Sequence, residues 1–154
     1  MVFIPETCGR IGAAFEATSV IRDEKSPVVA GQDILIVEDQ ALIALDVEGL
    51  LLGLGARECW MVPSVAEALT LLETTKPTLA VVDFNLGHET AEVVADKLGA
   101  LAVPFVFFTG YGEDLRVPER FRGIPIVSKP VVTETLLAKL AQAQLGRGMA
   151  RPYQ

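Results

Sequence analysis

The sequence predicts an α/β domain with a five-stranded parallel sheet covered on both faces by helices, and three observations predict it. Short apolar runs recur after residue 33: "ILIV" (34–37), "ECWMV" (58–62), "LAVV" (79–82), "VPFVFF" (103–108) and "IPIV" (124–127). Most lack polar alternation, as suits strands buried on both faces. The segments between them have helical length, and strands alternating with helices imply right-handed crossovers in one parallel sheet.

Each helix has its own grounds. Residues 40–53 carry Leu42, Ile43, Leu45, Val47, Leu50 and Leu51 on a broad apolar face. Residues 64–74 open with Ser64 and have Glu67 three positions later, a capping box. A third helix is expected over 89–100 with Val93, Val94, Leu98 and Leu101 inward. A last one is expected over 131–145, with Leu136, Leu137, Leu140 and Ala141 inward and Gly146 as its stop. The 110–123 segment holds Gly110, Gly112, Pro118 and Gly123, so a helix there is short or broken at Val117.

These elements fill residues 33–145, the single domain that 154 residues allow. Residues 1–32 read as an N-terminal extension, partly ordered or flexible, with a short helix around Ile11–Ala17 and "SPVVAGQ" (26–32) as a linker. Residues 146–154 read as a tail. No run is long enough to span a bilayer and the start lacks an export signal, so a cytoplasmic protein without a membrane role is expected. Cys8 and Cys59 are too few and too far apart for a disulfide framework or metal site.

The formal charge is −7, and residues 33–145 alone hold sixteen acidic against eight basic side chains. Such a domain repels a phosphate backbone, so no nucleic-acid role is expected. Its only local basic cluster is Arg116, Arg120 and Arg122.

In an open parallel sheet, ligands bind beyond the carboxyl ends of the strands. Glu38 and Asp39 follow the first strand, Asp83 the third, Thr109 the fourth and Lys129 the fifth. Clustered carboxylates repel one another unless a cation intervenes, and magnesium accepts a few carboxylates together with phosphate oxygens. Asp83 as nucleophile, with the metal, Lys129 and Thr109 stabilising phosphoryl oxygens, makes a coherent phosphoryl-transfer site. Singly, each residue has a plainer reading. The acidic pair opens a helix, Thr109 and Lys129 are turn and surface residues, and Asp83 caps the turn before Gly87.

Taken in order, "ILIVEDQ", "VVDFNLG", "FFTGYG" and "VSKP" resemble the receiver domain of two-component response regulators over residues 33 to about 145. The resemblance implies the doubly wound strand order 2-1-3-4-5. It implies Asp83 as phosphoacceptor, with Mg2+ held by Glu38, Asp39, Asp83 and the main-chain carbonyl of Asn85. It further implies Thr109 as switch hydroxyl, Lys129 as the lysine contacting the phosphoryl group, and a cis bond to Pro130. The donor is then a histidine kinase or histidine phosphotransfer protein. The domain catalyses its own phosphorylation and dephosphorylation rather than acting as an ordinary enzyme. Output is by contact with a downstream protein, with the helix 4–strand 5–helix 5 face as a candidate homodimer surface. "FFTGYG" also resembles a receiver subgroup with a Phe-x-Thr-Gly-Tyr signature, often stand-alone or in stress relays.

The departures are specific. Ile126 stands where receivers carry an aromatic reporter, and Tyr111 is a candidate substitute. "NLGHET" replaces the usual proline and Asp-Gly, leaving His88 as an ordinary loop residue. The intervals from Asp83 to Thr109 and from Thr109 to Lys129 are short, which gives the face near Arg116, Arg120 and Arg122 an unusual shape. Two alternatives remain: a phosphorylation-independent docking domain, and an aspartyl phosphatase, which would need an aspartate where Asn85 stands.

Overall fold

The computed structural model describes residues 25–110 and 115–146. The sheet strands are β1 (Asp33–Val37), β2 (Glu58–Val62), β3 (Leu79–Asp83), β4 (Phe105–Thr109) and β5 (Ile126–Ser128), all paired in parallel in the order β2-β1-β3-β4-β5. The order matches the flavodoxin-like receiver topology expected from the sequence. The helices are α1 (Ala41–Gly53), α2 (Val65–Thr74), α3 (Glu92–Ala100) and α4 (Thr133–Gly146).

Alternate residues of each central strand go to opposite faces. Leu35, Val82, Phe105 and Phe107 pack beneath α2 and α3, with Leu72, Val94 and Leu98. Ile34, Ile36, Val81 and Phe108 pack beneath α1 and α4, with Val47, Leu51, Leu136 and Leu140. β1, β3 and β4 are buried at every position, which is why they read as unbroken apolar runs. β4 and β5 begin two residues later than expected, each immediately or closely after a proline that has no N–H for the ladder; Pro104 and Pro125 offer only carbonyls, to Ala80 and Phe107.

Several helix faces need correction. Leu42 and Leu45 are 78% and 49% exposed, while Ala44, Val47 and Leu51 face the core. α1 is apolar almost all round, so its pattern carries no phase. Val93 is likewise exposed at 54%. The third helix begins at Glu92 rather than 89, because residues 85–90 form a small antiparallel hairpin, Asn85–Leu86 with Glu89–Thr90. Its two-residue turn has Gly87 at φ 74, the conformation that a type II′ hairpin requires at that place. In 115–125 the only regular element is a 3-10 turn, Glu119–Phe121, just after Pro118.

The linker reading of 26–32 is also corrected. Ser26 carbonyl accepts from Val29 and Ala30, Ser26 and Gly31 N–H groups bond to Leu54 and Gly55 carbonyls, and Gln144 donates to Val28 carbonyl. Val29 is fully buried between α1 and α4. Burial of such a side chain contributes about 1.5 kcal/mol or more. The Ile11–Ala17 helix and the tail beyond Gly146 lie outside the described residues.

Two helix ends are set by local chemistry. Ser64 Oγ accepts from Glu67 N–H at 3.2 Å, which is one arm of the expected capping box, and Glu89 of the hairpin accepts from Val65 N–H at 3.2 Å. α3 closes in a Schellman arrangement: Val103 N–H bonds to Leu98 carbonyl and Ala102 N–H to Gly99 carbonyl, with Ala102 at φ 60. That conformation suits glycine, so Ala102→Gly is expected to stabilise the fold by about 0.5–1 kcal/mol, whereas Ser64→Ala costs about 1 kcal/mol. Urea unfolding of the two variants checks both signs.

Candidate functional site

Three strands deliver their next polar residues to one rim. Glu38 continues β1, its N–H bonding to Val62 carbonyl at 3.0 Å, and is 2% exposed. Asp83 ends β3 at 4% exposure, and Lys129 follows β5, its N–H bonding to Thr109 carbonyl at 2.8 Å. The backbone ladders therefore fix the starting points of all three side chains. Thr109, the last residue of β4, is fully buried.

The side chains converge on the Lys129 ammonium. Nζ donates to Asp83 Oδ2 at 2.9 Å and lies 2.8 Å from Glu38 Oε1 as an ion pair. The Phe108 ring lies beneath it, 5.1 Å from the nitrogen to the centroid. The second oxygen of each carboxylate is held by the amide two residues on: Gln40 N–H donates to Glu38 Oε2 at 3.0 Å, and Asn85 N–H to Asp83 Oδ1 at 3.1 Å. Asn85 is thus tied to the cluster through its N–H. Asp39 is exposed and completes the group: one oxygen each from Glu38, Asp39 and Asp83 lies within 4.8 Å of the others. The hairpin passes beside it, where a Cβ on Gly87 would stand 3.8 Å from Asp39 Oδ2.

Burial pushes the Glu38 carboxyl above its ordinary pKa, reinforced by Asp83 and only partly offset by Lys129 and the Gln40 N–H. Burial works against the Lys129 ammonium, but Glu38 and Asp83 outweigh it and hold its pKa above the ordinary lysine value. Glu38 Oε1 is buried and its contact is the Lys129 ammonium at 2.8 Å. Three carboxylates gathered this closely, with Asp39 open to solvent, fit a hard divalent cation such as Mg2+ with oxygen ligands.

The remaining sequence candidates scatter. Ile126 on β5 is half-buried against the α2/α3-side core. Arg116 is exposed. Arg122 pairs with Glu119 and lines a groove of about 790 Å³ with Ile124, Ile126, Val132 and Lys139. Arg120, expected only to lie near the face of unusual shape, is engaged within the chain, donating to Asp96 at 2.9 and 3.0 Å and to Glu92 at 3.4 Å. His88 is exposed at the hairpin turn. Tyr111 lies outside the described residues. Sequence reasoning missed the hairpin, although a Gly-X pair between "NL" and "ET" is a signal for it, and missed Phe121.

A doubly wound sheet of this order, with an acidic rim facing one lysine, defines a receiver-type domain. The comparisons agree, and the chain belongs to the CheY-like receiver domains of response regulators, related to the PhyR-type regulators. It is 33% identical over 122 residues to the phyllosphere-induced regulator PhyR of Methylorubrum extorquens; the match covers 77% of this chain but 46% of PhyR, so the chain spans less than half of that relative. The BeF3-activated conformation of SdrG from Pseudomonas melonis Fr1 is 40% identical, with a TM-score of 0.61, over 71% of this chain and 93% of SdrG. A CheY-like receiver domain from Methylobacillus flagellatus is 27% identical, with a TM-score of 0.63, over 74% of this chain and 99% of that one. No protein-family model matches the chain. Among the described residues no helix is long and apolar enough to cross a membrane.

A raised carboxyl pKa in the fold means that Glu38 favours folding below its unfolded value, near 4.5, and that this contribution is lost as pH rises through the higher folded value. Ionised Glu38 is then a net cost at neutral pH. Glu38→Gln is expected to stabilise the apo protein near neutrality, by on the order of 1 kcal/mol as single stabilising substitutions commonly do, with the gain shrinking towards about pH 4. Urea unfolding across that range checks it. For Lys129 the sign gives stability present below its ordinary value of 10.5 and lost as pH climbs through the raised folded value.

Proposed function

We propose that this receiver takes a phosphoryl group from a phosphohistidine on a partner protein onto Asp83, in a Mg2+-dependent reaction, and signals by protein–protein contact. The observation that carries this reading is the Lys129 ammonium 2.9 Å from the Asp83 carboxylate, beside an acidic trio fit for a divalent cation.

An Asp83 oxygen bonds to phosphorus as the P–N bond of the donor breaks; the imidazole leaves with the electron pair and takes a proton. Glu38, Asp39, Asp83 and the main-chain carbonyl of Asn85 would hold Mg2+, which would offset charge on the phosphoryl oxygens. Lys129 exchanges its contact with the carboxylate for one with a phosphoryl oxygen, and the Thr109 hydroxyl donates to another. Attack of water on the acyl phosphate returns Asp83 and releases phosphate, so the domain catalyses its own phosphorylation and dephosphorylation. A histidine kinase or histidine phosphotransfer protein is the donor, which implies a cytoplasmic setting. A downstream protein, or a second copy through the groove between β5 and α4, receives the signal. The "FFTGY" stretch supports membership of the subgroup with that signature. The BeF3-activated form of SdrG shows that a receiver similar to this chain responds to a phosphoryl mimic.

Incubation with Mg2+ and a small phosphoryl donor is expected to add one phosphoryl group to the wild type by intact mass and none to Asp83→Asn, with the gain lost on chelation. Lys129→Met is expected to slow the gain about 100-fold. No gain in either protein replaces this reading with the phosphorylation-independent docking domain.

A further inference from the structure

The Phe107 ring lies on the same face of β4 as Thr109, two residues away. Three other rings meet it edge-on: Phe84 at 5.1 Å, Phe105 at 5.4 Å and Phe121 at 5.6 Å between centroids. Phe84 directly follows Asp83, so the ring chain starts at the acceptor residue. Phe121 ends it from outside the sheet, at the end of the Glu119–Phe121 turn, and is only 5% exposed.

What holds that turn differs in kind from what holds the sheet. Its backbone bonds are local: Phe121 to Pro118, Arg122 to Glu119, Ile124 to Phe121. Its tertiary hold is the Phe121 ring, the neighbouring Leu115, Val117 and Ile124 against the same core, and Arg120, which stacks 4.4 Å over Phe121 and grips Asp96 and Glu92 of α3. Arg120 is 43% exposed, so its ion pairs are screened and weak. Ile126 is the opposite case. It sits beside Phe107 in the β4–β5 register, held by ladder bonds and stiffened by its branched Cβ.

We infer that Phe121 is the residue through which the charge state of Asp83 reaches the 115–123 surface, with Arg120 as the latch that keeps the turn against α3 in the unphosphorylated domain. The inference rests on the phosphoacceptor reading. A displacement of Thr109 and Phe84 acts on Phe107, whose fully buried ring is in edge contact with three others and passes the push on. The yielding neighbour is the ring on the short turn, since the others are anchored in or beside the ladder. Moving Phe121 carries Arg120 off its carboxylates and alters the surface next to the β5 groove.

The test is amide NMR of the whole chain with Mg2+, with and without beryllofluoride. In the wild type, residues 119–123 are expected to shift together with Asn85, Thr109 and Lys129. In Phe121→Leu the shifts around Asp83 are expected to persist while those at 119–123 fall about threefold or more. Phe121→Met, whose flexible thioether fills an aromatic site, carries the same comparison should Leu at 121 prevent folding. In Arg120→Gln the turn is expected to move towards its beryllofluoride position before any is added. Equal responses at 119–123 in the wild type and the Phe121 variants overturn the inference and leave the phosphoacceptor reading standing. No response around Asp83 in the wild type overturns that reading itself, and this inference with it.

Discussion

The Lys129 ammonium, seated between Glu38 and Asp83, is the interaction on which the rest of the site depends. Each partner comes from a different strand, and none is a neighbour of another in sequence. An acidic rim on a domain with excess negative charge is self-repelling. One amine at 2.8 to 2.9 Å from two buried carboxylates compensates much of that repulsion without filling the third position, Asp39, which stays open to solvent. The domain is thus held folded with a site that still has an appetite for positive charge.

Sheet topology makes the meeting possible. In the order β2-β1-β3-β4-β5, β1 and β3 are adjacent, so the residues after their last buried positions emerge side by side, and the short parallel pairing of β5 with β4 brings Lys129 back to the same edge. The amides of Gln40 and Asn85 then orient the two carboxylates by the same short-range device, each bonding to the acid two residues before it. A local turn and a long-range crossover are both needed. Neither alone fixes the angle at which the oxygens face the ammonium.

The strands and the rim residues were legible in the sequence because a strand buried on both faces writes an unbroken apolar run, and a polar residue at its end has one place to go. α1 was not legible in phase: Leu42 and Leu45 are as apolar as Val47 and Leu51, and only three-dimensional packing separates them. The hairpin was hidden by a helical reading that extended back from Val94 to residue 89, over the hairpin's second strand, and the positive φ of Gly87 just before it decides the matter. The Arg120 latch and the Phe121 ring were invisible for a different reason. Their partners, Asp96, Glu92 and Phe107, lie more than ten residues upstream, and no local spacing announces them.

The two segments flanking the rim are tethered unequally, and the inequality gives the site a direction. On one side Phe84 carbonyl accepts from Ala91 N–H at 2.9 Å between two buried residues, so a backbone bond closes the loop after Asp83, and the exposed Glu89 carboxylate accepts from the first amide of α2. On the other side the 119–121 turn has no ladder bonds and is retained by side chains: the Phe121 ring, the partly buried Leu115, Val117 and Ile124, and exposed ion pairs. Backbone bonds shielded by packing resist a sub-ångström push, while exposed charge pairs exchange readily with water. On the phosphoacceptor reading proposed above, a change in charge at Asp83 meets a stiffer wall at the closed 84–91 loop than at the Arg120 turn, and the displacement goes where the restoring force is smaller.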